Sequence, residues 1–227
     1  FWEPENNWRD SPPWLIEVKK NDLPEQVGIT MAKKRYKGNI HTELVHAADA
    51  HNPSSGVASP IYQSATFSFE RPEEIAAAMA AEAHPHFYGR YATPNTKHVE
   101  ATLARLEEAE AALAVGSGMA AVSLALLTFL GQGDHLIAQR TLYPTTSKLI
   151  EKKLPTLGID VTIVDQEDLA QFEAAIRSNT RLIYVESPAN PTLTLTDLSA
   201  VADLARTHGL MTVADNTFAT PYNQRPL

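Results

Sequence analysis

The sequence contains no cysteine in its 227 residues. This absence excludes disulfides, thiolate zinc sites and cysteine nucleophiles. The sequence also lacks an apolar run near the ~20 residues that a transmembrane helix needs, and its first residues lack the basic and apolar stretches of a secretion signal. We therefore expect a protein of the cytoplasm, whose reducing conditions suit a chain without cysteine.

Basic residues are fewer than acidic ones. Lys and Arg total 19 against 27 Asp and Glu, which gives a formal net charge of -8. A nucleic-acid binder needs a basic face for phosphate contacts, and this sequence shows none. The hydrophobic fraction of 44% is sufficient for a sizeable core. These features favour an acidic globular enzyme of one large domain, or of one and a half.

The beginning of the chain differs from the rest. Residues 1–30 hold all three tryptophans and four of the 15 prolines, without a sustained period. Met31 then opens a stretch typical of a translation start. We interpret residues 1–30 as an extension, which is either an upstream read-in or an arm that packs on a partner. Residues 31–92 are predicted to form an N-terminal arm and loops, with one helix in "RPEEIAAAMAAEA".

From residue 93 to residue 227 the pattern changes to alternating helices and strands. "KHVEATLARLEEAEAAL" has apolar residues near helical spacing with charges between them. Short, nearly continuous apolar strands follow, separated by helices. This pattern predicts an α/β domain whose parallel sheet is covered on both faces. The predicted strands are "ALAV", "HLIAQ", "DVTIV", "RLIYVE" and "LMTVAD".

Ligands of such sheets bind outside the carboxyl ends of the strands. At the first end, Gly116-Ser117-Gly118 leads directly into a helix. Free N–H groups and the positive end of the helix dipole would meet there and suit a phosphate. The segment lacks the lysine of a Walker loop and the spacing of a dinucleotide fingerprint. A simple glycine turn between strand and helix is the alternative interpretation.

Two further strand ends carry candidate ligand contacts. Tyr143 follows "HLIAQ", where its ring could stack on a planar ligand or could simply pack. Glu186 and Asn190 lie at and just past the end of the strand "RLIYVE", in a turn fixed by Pro188 and Pro191. The asparagine could bind a ligand or form an ordinary Asx turn.

Asp215 ends the last predicted strand. A carboxylate at the end of a buried strand is costly unless a cation or a hydrogen-bond donor meets it. Asp215 could cap the next element, or it could contact a protonated ring nitrogen, as in pyridoxal phosphate sites. A phosphate site, an aromatic ring, an asparagine and an aspartate in this order favour that cofactor.

From about His41 to Leu227 the sequence resembles the Cys/Met-metabolism family of pyridoxal-phosphate enzymes, which includes cystathionine synthases and lyases, methionine gamma-lyases and O-acylhomoserine sulfhydrylases. The resemblance implies a large domain of fold type I, similar to aspartate aminotransferase, with a mostly parallel sheet flanked by helices and an N-terminal arm before it. The matching motifs are "TELVHA", "SPIYQSATFSF", "YGRYATPN", "GSGMAAV", "GDHLIAQRTLY", "VESPANPT" and "ADNTFATPYNQRPL".

The resemblance implies roles for residues at three of the strand ends. Gly118 and Met119 resemble the backbone site for the cofactor phosphate. Tyr143 resembles the ring that stacks on the cofactor and assists proton movement, so it is the predicted catalytic residue. Asn190 is similar to the asparagine near the 3-hydroxyl of the cofactor.

The remaining implied contacts lie in the last strand and in the arm. Asp215 resembles the aspartate bound to the pyridine nitrogen, and Thr217 lies in the same turn. Tyr88 and Arg90 resemble the pair that reaches the cofactor phosphate of a neighbouring subunit. The resemblance therefore implies a homodimer or homotetramer in which residues 31–92 contact the neighbour.

The sequence departs from the family pattern near two of these residues. Thr93-Pro94-Asn95 stands where the family often has Asn-Pro-Thr. Pro144 replaces a common glycine, and Thr145 stands where methionine gamma-lyases typically have cysteine. The threonine weighs against a dedicated methionine gamma-lyase.

The Schiff-base lysine of the family is expected shortly after "NQRPL", beyond Leu227, as is the small C-terminal domain. None of the nine lysines ends a predicted strand beside Asp215. We therefore expect these 227 residues alone to bind the cofactor weakly and to turn over little.

Three functions stay open. The first is the N-terminal part of an enzyme that eliminates or replaces a beta or gamma substituent of sulfur amino acids or activated homoserine. The second is a half-protein that acts with a partner chain or as a non-catalytic binding module. The third is another pyridoxal enzyme, such as an aminotransferase-like one, on the same scaffold.

Overall fold

The computed structural model describes residues 39–47, 49, 52, 56–81 and 84–227. The predictions for residues 1–30 and for the first part of the arm lie outside the described residues. The chain divides into two compact units. The sheet unit contains residues 117–220 and 226, and the second unit contains the described residues between 39 and 116 together with 221–225 and 227.

The described residues form eight α-helices and four β-strands. Helical backbone continues after α5 as a π-helical segment over Leu149–Lys153 and a 3-10 helix over Leu154–Leu157. No described helix combines the length and the apolar character that crossing a bilayer requires. The elements are α1 (Ile40–His46), α2 (Pro72–Ala80), α3 (Pro94–Leu106), α4 (Gly118–Phe129), β1 (His135–Gln139), α5 (Pro144–Lys148), β2 (Asp160–Val164), α6 (Leu169–Ala174), β3 (Thr180–Glu186), α7 (Leu198–Thr207), β4 (Met211–Asp215) and α8 (Thr220–Asn223).

The four strands form one parallel sheet in the order β2-β1-β3-β4. All four were predicted from short apolar runs, and the α/β prediction with a parallel sheet is confirmed. Each connection between successive strands contains helical backbone, as a parallel sheet requires. Glu186 ends β3 and pairs in register with Asp215, which ends β4. The two carboxyl groups therefore arrive at the same edge of the sheet.

Alternate residues of the central strands supply two separate cores. Leu136 and Leu182 pack with α4 and the helical run after β1, whereas Ile137 and Ile183 pack with α6 and α7. All four side chains are fully buried, and each contributes about 1.5–3 kcal/mol through removal of apolar surface from water. Both faces of the sheet are thus covered, which explains why the strands are apolar without polar alternation.

Local chemistry defines where the helices of the sheet unit begin and end. Ser117, Asp168 and Asp197 cap α4, α6 and α7, since each side chain accepts a hydrogen bond from a backbone N–H in the first turn. Gly158 ends the helical run before β2 with φ of 78°. A Cβ at this position would lie 2.7 Å from Cγ of Gln132, so both the backbone and the packing require glycine.

The predicted strand "ALAV" is wrong. Residues 111–115 have no strand structure, and the backbone N–H of Ala114 donates to Oε1 of Glu100 at 3.1 Å. A buried side chain thus satisfies an N–H group that a ladder would otherwise use, and alanine has a low preference for strands. The helix predicted to continue through Leu113 ends at Leu106 instead, because Glu108 adopts a left-handed φ of 57°.

The second unit contains the predicted helix α2 and also α1, which the sequence analysis did not predict. The side chain of Asn39 caps α1 by accepting from the N–H of Thr42. Glu43 of α1 forms an ion pair with Arg105 of α3, with a hydrogen bond of 2.7 Å from the guanidinium. The cap and this contact with a distant helix stabilise a segment that is too short to be stable alone.

His135 is buried at the start of β1. Its two ring nitrogens lie 2.8 Å from the hydroxyls of Thr180 and Thr162. Burial lowers the pKa of the imidazole, the charge of Arg177 lowers it further, and the charge of Asp160 opposes both. The folded protein therefore favours the neutral ring.

We expect His135 to make stability depend on pH. Because the pKa is lower in the folded state than in the unfolded state, the unfolded chain binds more protons as pH falls through about 6.5. The free energy of unfolding should therefore decrease from pH 7 towards the folded pKa, and His135→Gln should reduce this slope. Urea unfolding at several pH values measures it. His208→Gln, at an exposed position, is the control, and equal slopes for wild type and His135→Gln would contradict the expectation.

Candidate active site at the carboxyl edge of the sheet

Asp215 forms hydrogen bonds with both of its carboxyl oxygens. Oδ1 accepts from the backbone N–H of Thr217 at 3.1 Å and from its hydroxyl at 2.5 Å. Oδ2 accepts from the hydroxyl of Tyr184 at 3.3 Å. Asp215 is half-buried, and each carboxylate oxygen can accept more than one hydrogen bond. The turn capping considered from the sequence is therefore present, and it leaves capacity for a further donor.

Tyr184 lies under this carboxylate. Its side chain is fully buried in β3. Burial raises the pKa of its hydroxyl strongly, and the negative charges of Asp215 and Glu186 raise it further. The hydroxyl therefore stays protonated and serves as a permanent donor to Asp215.

The carboxyl group of Glu186 joins two loops. Oε2 accepts from the backbone N–H of Tyr143 at 2.8 Å, and Oε1 accepts from the backbone N–H of Asn190 at 2.6 Å. The residue is only 5% exposed. Burial raises the pKa of Glu186, the two N–H groups oppose the increase, and the charge of Asp215 adds to it. The loops after β1 and β3 thus meet at one side chain.

The amide of Gln139 supports Glu186 from the end of β1. Its Oε1 accepts from the backbone N–H of Glu186 at 2.9 Å and from the hydroxyl of Thr196 at 3.0 Å. Its Nε2 donates to the carbonyls of Glu186 at 2.9 Å and Thr141 at 2.7 Å. Gln139 is fully buried, and all four of these hydrogen bonds are made. Such a satisfied network fixes the ends of β1 and β3 relative to each other.

The first turn of α4 presents free donors. Within the part of the chain that the structure describes, the N–H groups of Gly118 and Met119 donate to no other group. A Cβ at Gly118 would meet nothing within 4 Å, so the space beside this turn is open. The hydroxyl of Thr146 in α5 lies 3.6 Å from Sδ of Met119, and Thr146 also lowers the pKa of Tyr184, against the stronger effect of burial. Side-chain contacts therefore connect the start of α4 with the residue that supports Asp215.

These residues fit a ligand with an anionic group and a cationic one. Unpaired N–H groups at a helix start suit a phosphate. Among the described residues, no Lys or Arg forms an ion pair with Asp215 or Glu186, so a cationic ring nitrogen would have a free partner in Asp215. The described residues hold no cluster of three or more His, Cys, Asp or Glu side chains that could bind a metal. Pyridoxal phosphate has both groups and a planar ring.

The other two predicted contacts lie in the second unit. Tyr88 forms an antiparallel bridge with Thr66, and the guanidinium of Arg90 lies 5.2 Å from the centre of its ring. Arg90 is exposed and makes this cation–π contact on its own loop. The predicted reach of both residues to a neighbouring subunit stays a prediction.

Comparison with known proteins identifies the family. Residues 41–227 match the family described as Cys/Met metabolism PLP-dependent enzyme. The chain belongs to this family. The predicted resemblance and the predicted cofactor of the family are thereby confirmed, while the individual roles of the site residues stay predictions.

Two curated members illustrate the similarity. An L-methionine gamma-lyase of Fusobacterium nucleatum subsp. nucleatum is 41% identical over 192 residues, which are 84% of this chain and 49% of that protein. The cystathionine beta-lyase of Bacillus subtilis is 38% identical, over 85% of this chain and 47% of that protein. The chain therefore spans about half the length of the curated relatives that it matches.

A solved structure shows the same fold. A Campylobacter jejuni protein of the O-acetylhomoserine (thiol)-lyase type has a TM-score of 0.78 and 30% identity, over 83% of this chain and 47% of that protein. In that structure a lysine carries a covalently attached pyridoxyl phosphate. The prediction of a fold type I domain for this chain is confirmed.

Three polar side chains that support the carboxyl edge of the sheet were not predicted from the sequence. Glu186 was noted in the turn but received no role, and Tyr184 and Gln139 were assigned only to strands. A signal was present, since a glutamate and a glutamine at the ends of apolar strands require buried partners. In this Cys/Met-metabolism chain they hold the loops that carry the predicted contacts.

Removal of the buried hydroxyl of Tyr184 tests whether its hydrogen bond to Asp215 stabilises the fold. We expect Tyr184→Phe to lower the free energy of unfolding by about 0.5–1.5 kcal/mol, because one hydrogen bond to a carboxylate is lost. Urea unfolding measures the change. Tyr91→Phe, at an exposed tyrosine, is the matched control with an expected change near zero. An unchanged stability of Tyr184→Phe would show that the 3.3 Å contact contributes nothing.

Proposed function

We propose that the complete protein is a pyridoxal-phosphate-dependent enzyme that cleaves or forms carbon–sulfur bonds of amino acids by beta or gamma elimination or replacement. The observation that carries this proposal is the arrangement at the carboxyl edge of the sheet. There, Asp215 and Glu186 are register partners, and Glu186 binds the backbone at Tyr143 and Asn190. Membership in a family described as PLP-dependent supports it.

Five residues of the sheet unit would hold the cofactor. The N–H groups of Gly118 and Met119 would bind its phosphate, and the ring of Tyr143, which is 42% exposed, would pack on its ring. The amide of Asn190 would bind the 3-hydroxyl. Asp215 would accept a hydrogen bond from the ring nitrogen and keep that nitrogen protonated. Thr217, which donates twice to Asp215, would orient the carboxylate.

When bound, pyridoxal phosphate supplies an electron sink for the carbanion that forms when the alpha proton of an amino acid is removed. Asp215 would stabilise the positive charge of the bound ring, which makes the ring a better electron sink. The hydroxyl of Tyr184 donates to one oxygen of Asp215, and this orients the carboxylate. The hydroxyl of Tyr143 would move a proton at the reacting substrate, which is its proposed catalytic role.

The proposed substrates are sulfur-containing amino acids. Methionine and cystathionine appear in the names of the similar relatives. Thr145, at the position where methionine gamma-lyases typically have cysteine, favours cystathionine or an activated homoserine over methionine. The residue lies in the first turn of α5, directly after Tyr143 and Pro144.

The proposed assembly and organisation follow the family. We propose a homodimer or homotetramer in the cytoplasm, in which Tyr88 and Arg90 bind the cofactor phosphate of a neighbouring subunit. Residues 1–30 would be an extension, residues 31–92 an arm on the neighbour, and residues 93–227 part of the cofactor-binding domain.

We also propose that the Schiff-base lysine is not one of the four lysines in the described residues. None of the four forms an ion pair or hydrogen bond with Asp215 or Glu186 there.

Substrate assays of the protein expressed from its complete reading frame test the function. We expect a visible absorbance band on addition of pyridoxal phosphate, and release of a keto acid and a thiol from cystathionine. Thiol release from methionine should be slower. Transfer of an amino group without carbon–sulfur cleavage would instead support an aminotransferase-like enzyme. Borohydride reduction followed by peptide mass spectrometry would locate the lysine.

Asp215→Asn tests the ring contact. We expect keto acid release by the complete enzyme to fall about 10²-fold or more, because a neutral amide does not hold the ring nitrogen protonated. Asp203→Asn, an exposed acidic residue of α7, is the control and should keep wild-type activity. Near-normal turnover of Asp215→Asn would mean that the ring nitrogen lies elsewhere.

A further inference from the structure

We propose that Glu186 is a positioning residue that fixes the loops carrying Tyr143 and Asn190 through their backbone N–H groups. The importance of these loops for the cofactor rests on the proposed function, whereas the anchoring is a property of the chain itself. Both oxygens of one side chain are used, at 2.8 and 2.6 Å, and the two anchored residues are 47 positions apart. No side chain of Tyr143 or Asn190 takes part in these bonds.

A carboxylate is the side chain that suits this position. Two N–H donors approach it from different loops, and a carboxylate offers an acceptor to each without presenting a donor. Hydrogen bonds to an ionised acceptor are about twice as strong as neutral ones. An amide in its place would turn an NH₂ group towards one of the two donors. Glutamine therefore anchors one loop at most.

The anchor is itself held rigidly. The backbone of Glu186 both donates to and accepts from the buried amide of Gln139, at 2.9 Å each. Its Cα is also paired in register with Asp215 in the neighbouring strand. The backbone of Glu186 is thus fixed on both sides, and the two N–H groups that its carboxyl group accepts from hold the side chain. The loops are positioned by a rigid element, as a preorganised site requires.

Backbone hydrogen bonds within the loops also act near these points: the N–H of Ser147 donates to the carbonyl of Tyr143 at 3.0 Å, and the N–H of Leu193 donates to the carbonyl of Ala189 at 2.7 Å. Tyr143 is followed by Pro144 and Asn190 by Pro191, and neither proline has an N–H group that could restrain the loop. The ring of Tyr143 is 42% exposed. The bond to Glu186 therefore ties the N–H of Tyr143 to the end of β3, whereas the Ser147 bond joins the carbonyl of Tyr143 only to α5.

Hydrogen–deuterium exchange of Glu186→Gln tests the anchoring without any cofactor. The protein expressed from its complete reading frame is used, with exchange read at single residues by fragmentation mass spectrometry. We expect the N–H of Tyr143 or Asn190, or both, to exchange about tenfold faster. The N–H groups of β1 and β2 should exchange at wild-type rates. Glu173→Gln, an exposed glutamate of α6, is the matched control.

Three results would overturn the proposal. Unchanged exchange at both N–H groups would show that Glu186 does not hold the loops. Equally faster exchange throughout the sheet would show a general loss of stability. Should Glu186→Gln fail to fold, Glu186→Asp decides, since it keeps the charge on a shorter side chain. If both N–H groups exchange in Glu186→Asp as slowly as in the wild type, the length of the Glu186 side chain does not matter for the anchoring.

Cofactor binding gives an independent measurement. In an absorbance titration we expect the Kd for pyridoxal phosphate to rise about tenfold in Glu186→Gln, with Glu186→Asp intermediate. An unchanged Kd together with faster exchange would overturn the role towards the cofactor. If the wild-type protein binds no pyridoxal phosphate, the proposed function fails, and the exchange experiment alone decides whether Glu186 anchors the loops.

Discussion

The structure of the sheet unit depends on placing two carboxyl groups side by side at the edge of a buried parallel sheet. Glu186 and Asp215 are register partners, and burial raises the pKa of Glu186. A buried carboxyl group is tolerated only when donors meet it. Here backbone N–H groups of two loops, the turn after β4 and the hydroxyl of Tyr184 supply those donors. The need of the two carboxyl groups for hydrogen-bond donors therefore determines where the surrounding backbone runs.

The two cores explain how this edge is held. Alternate residues of β1 and β3 pack into opposite faces, so both central strands are fixed from above and below. At the ends of β1 and β3, the side chain of Gln139 holds the two strands together with four hydrogen bonds. Polar groups at the edge are thus positioned by apolar packing beneath them. Tyr184 belongs to both parts, because its ring lies in one core while its hydroxyl reaches Asp215.

The sequence predicted most of the sheet but not the hydrogen bonds that support the candidate site. Four apolar runs became strands because burial on both faces leaves little choice of residues. "ALAV" failed as a strand because alanine is a weak strand former and the side chain of Glu100 binds its backbone. The position of Asp215 at a strand end was confirmed, but the bonds of Glu186 were not predictable, because they join residues 43 and 4 positions away through loop geometry. In a single sequence, the only sign of such contacts is a polar residue at the end of an apolar strand. Burial of that residue would be unfavourable without a hydrogen-bond partner.

Under the proposed function, the two adjacent acids would connect ligand binding with the anchoring of the loops. The negative charge of Asp215 adds to the raised pKa of Glu186. A cation bound at Asp215 would relieve this repulsion and favour the ionised Glu186, which binds the two N–H groups most strongly. Occupation of Asp215 would in this way tighten the loops after β1 and β3. Under the proposed function, a cationic ring at Asp215 would therefore support the anchoring by Glu186.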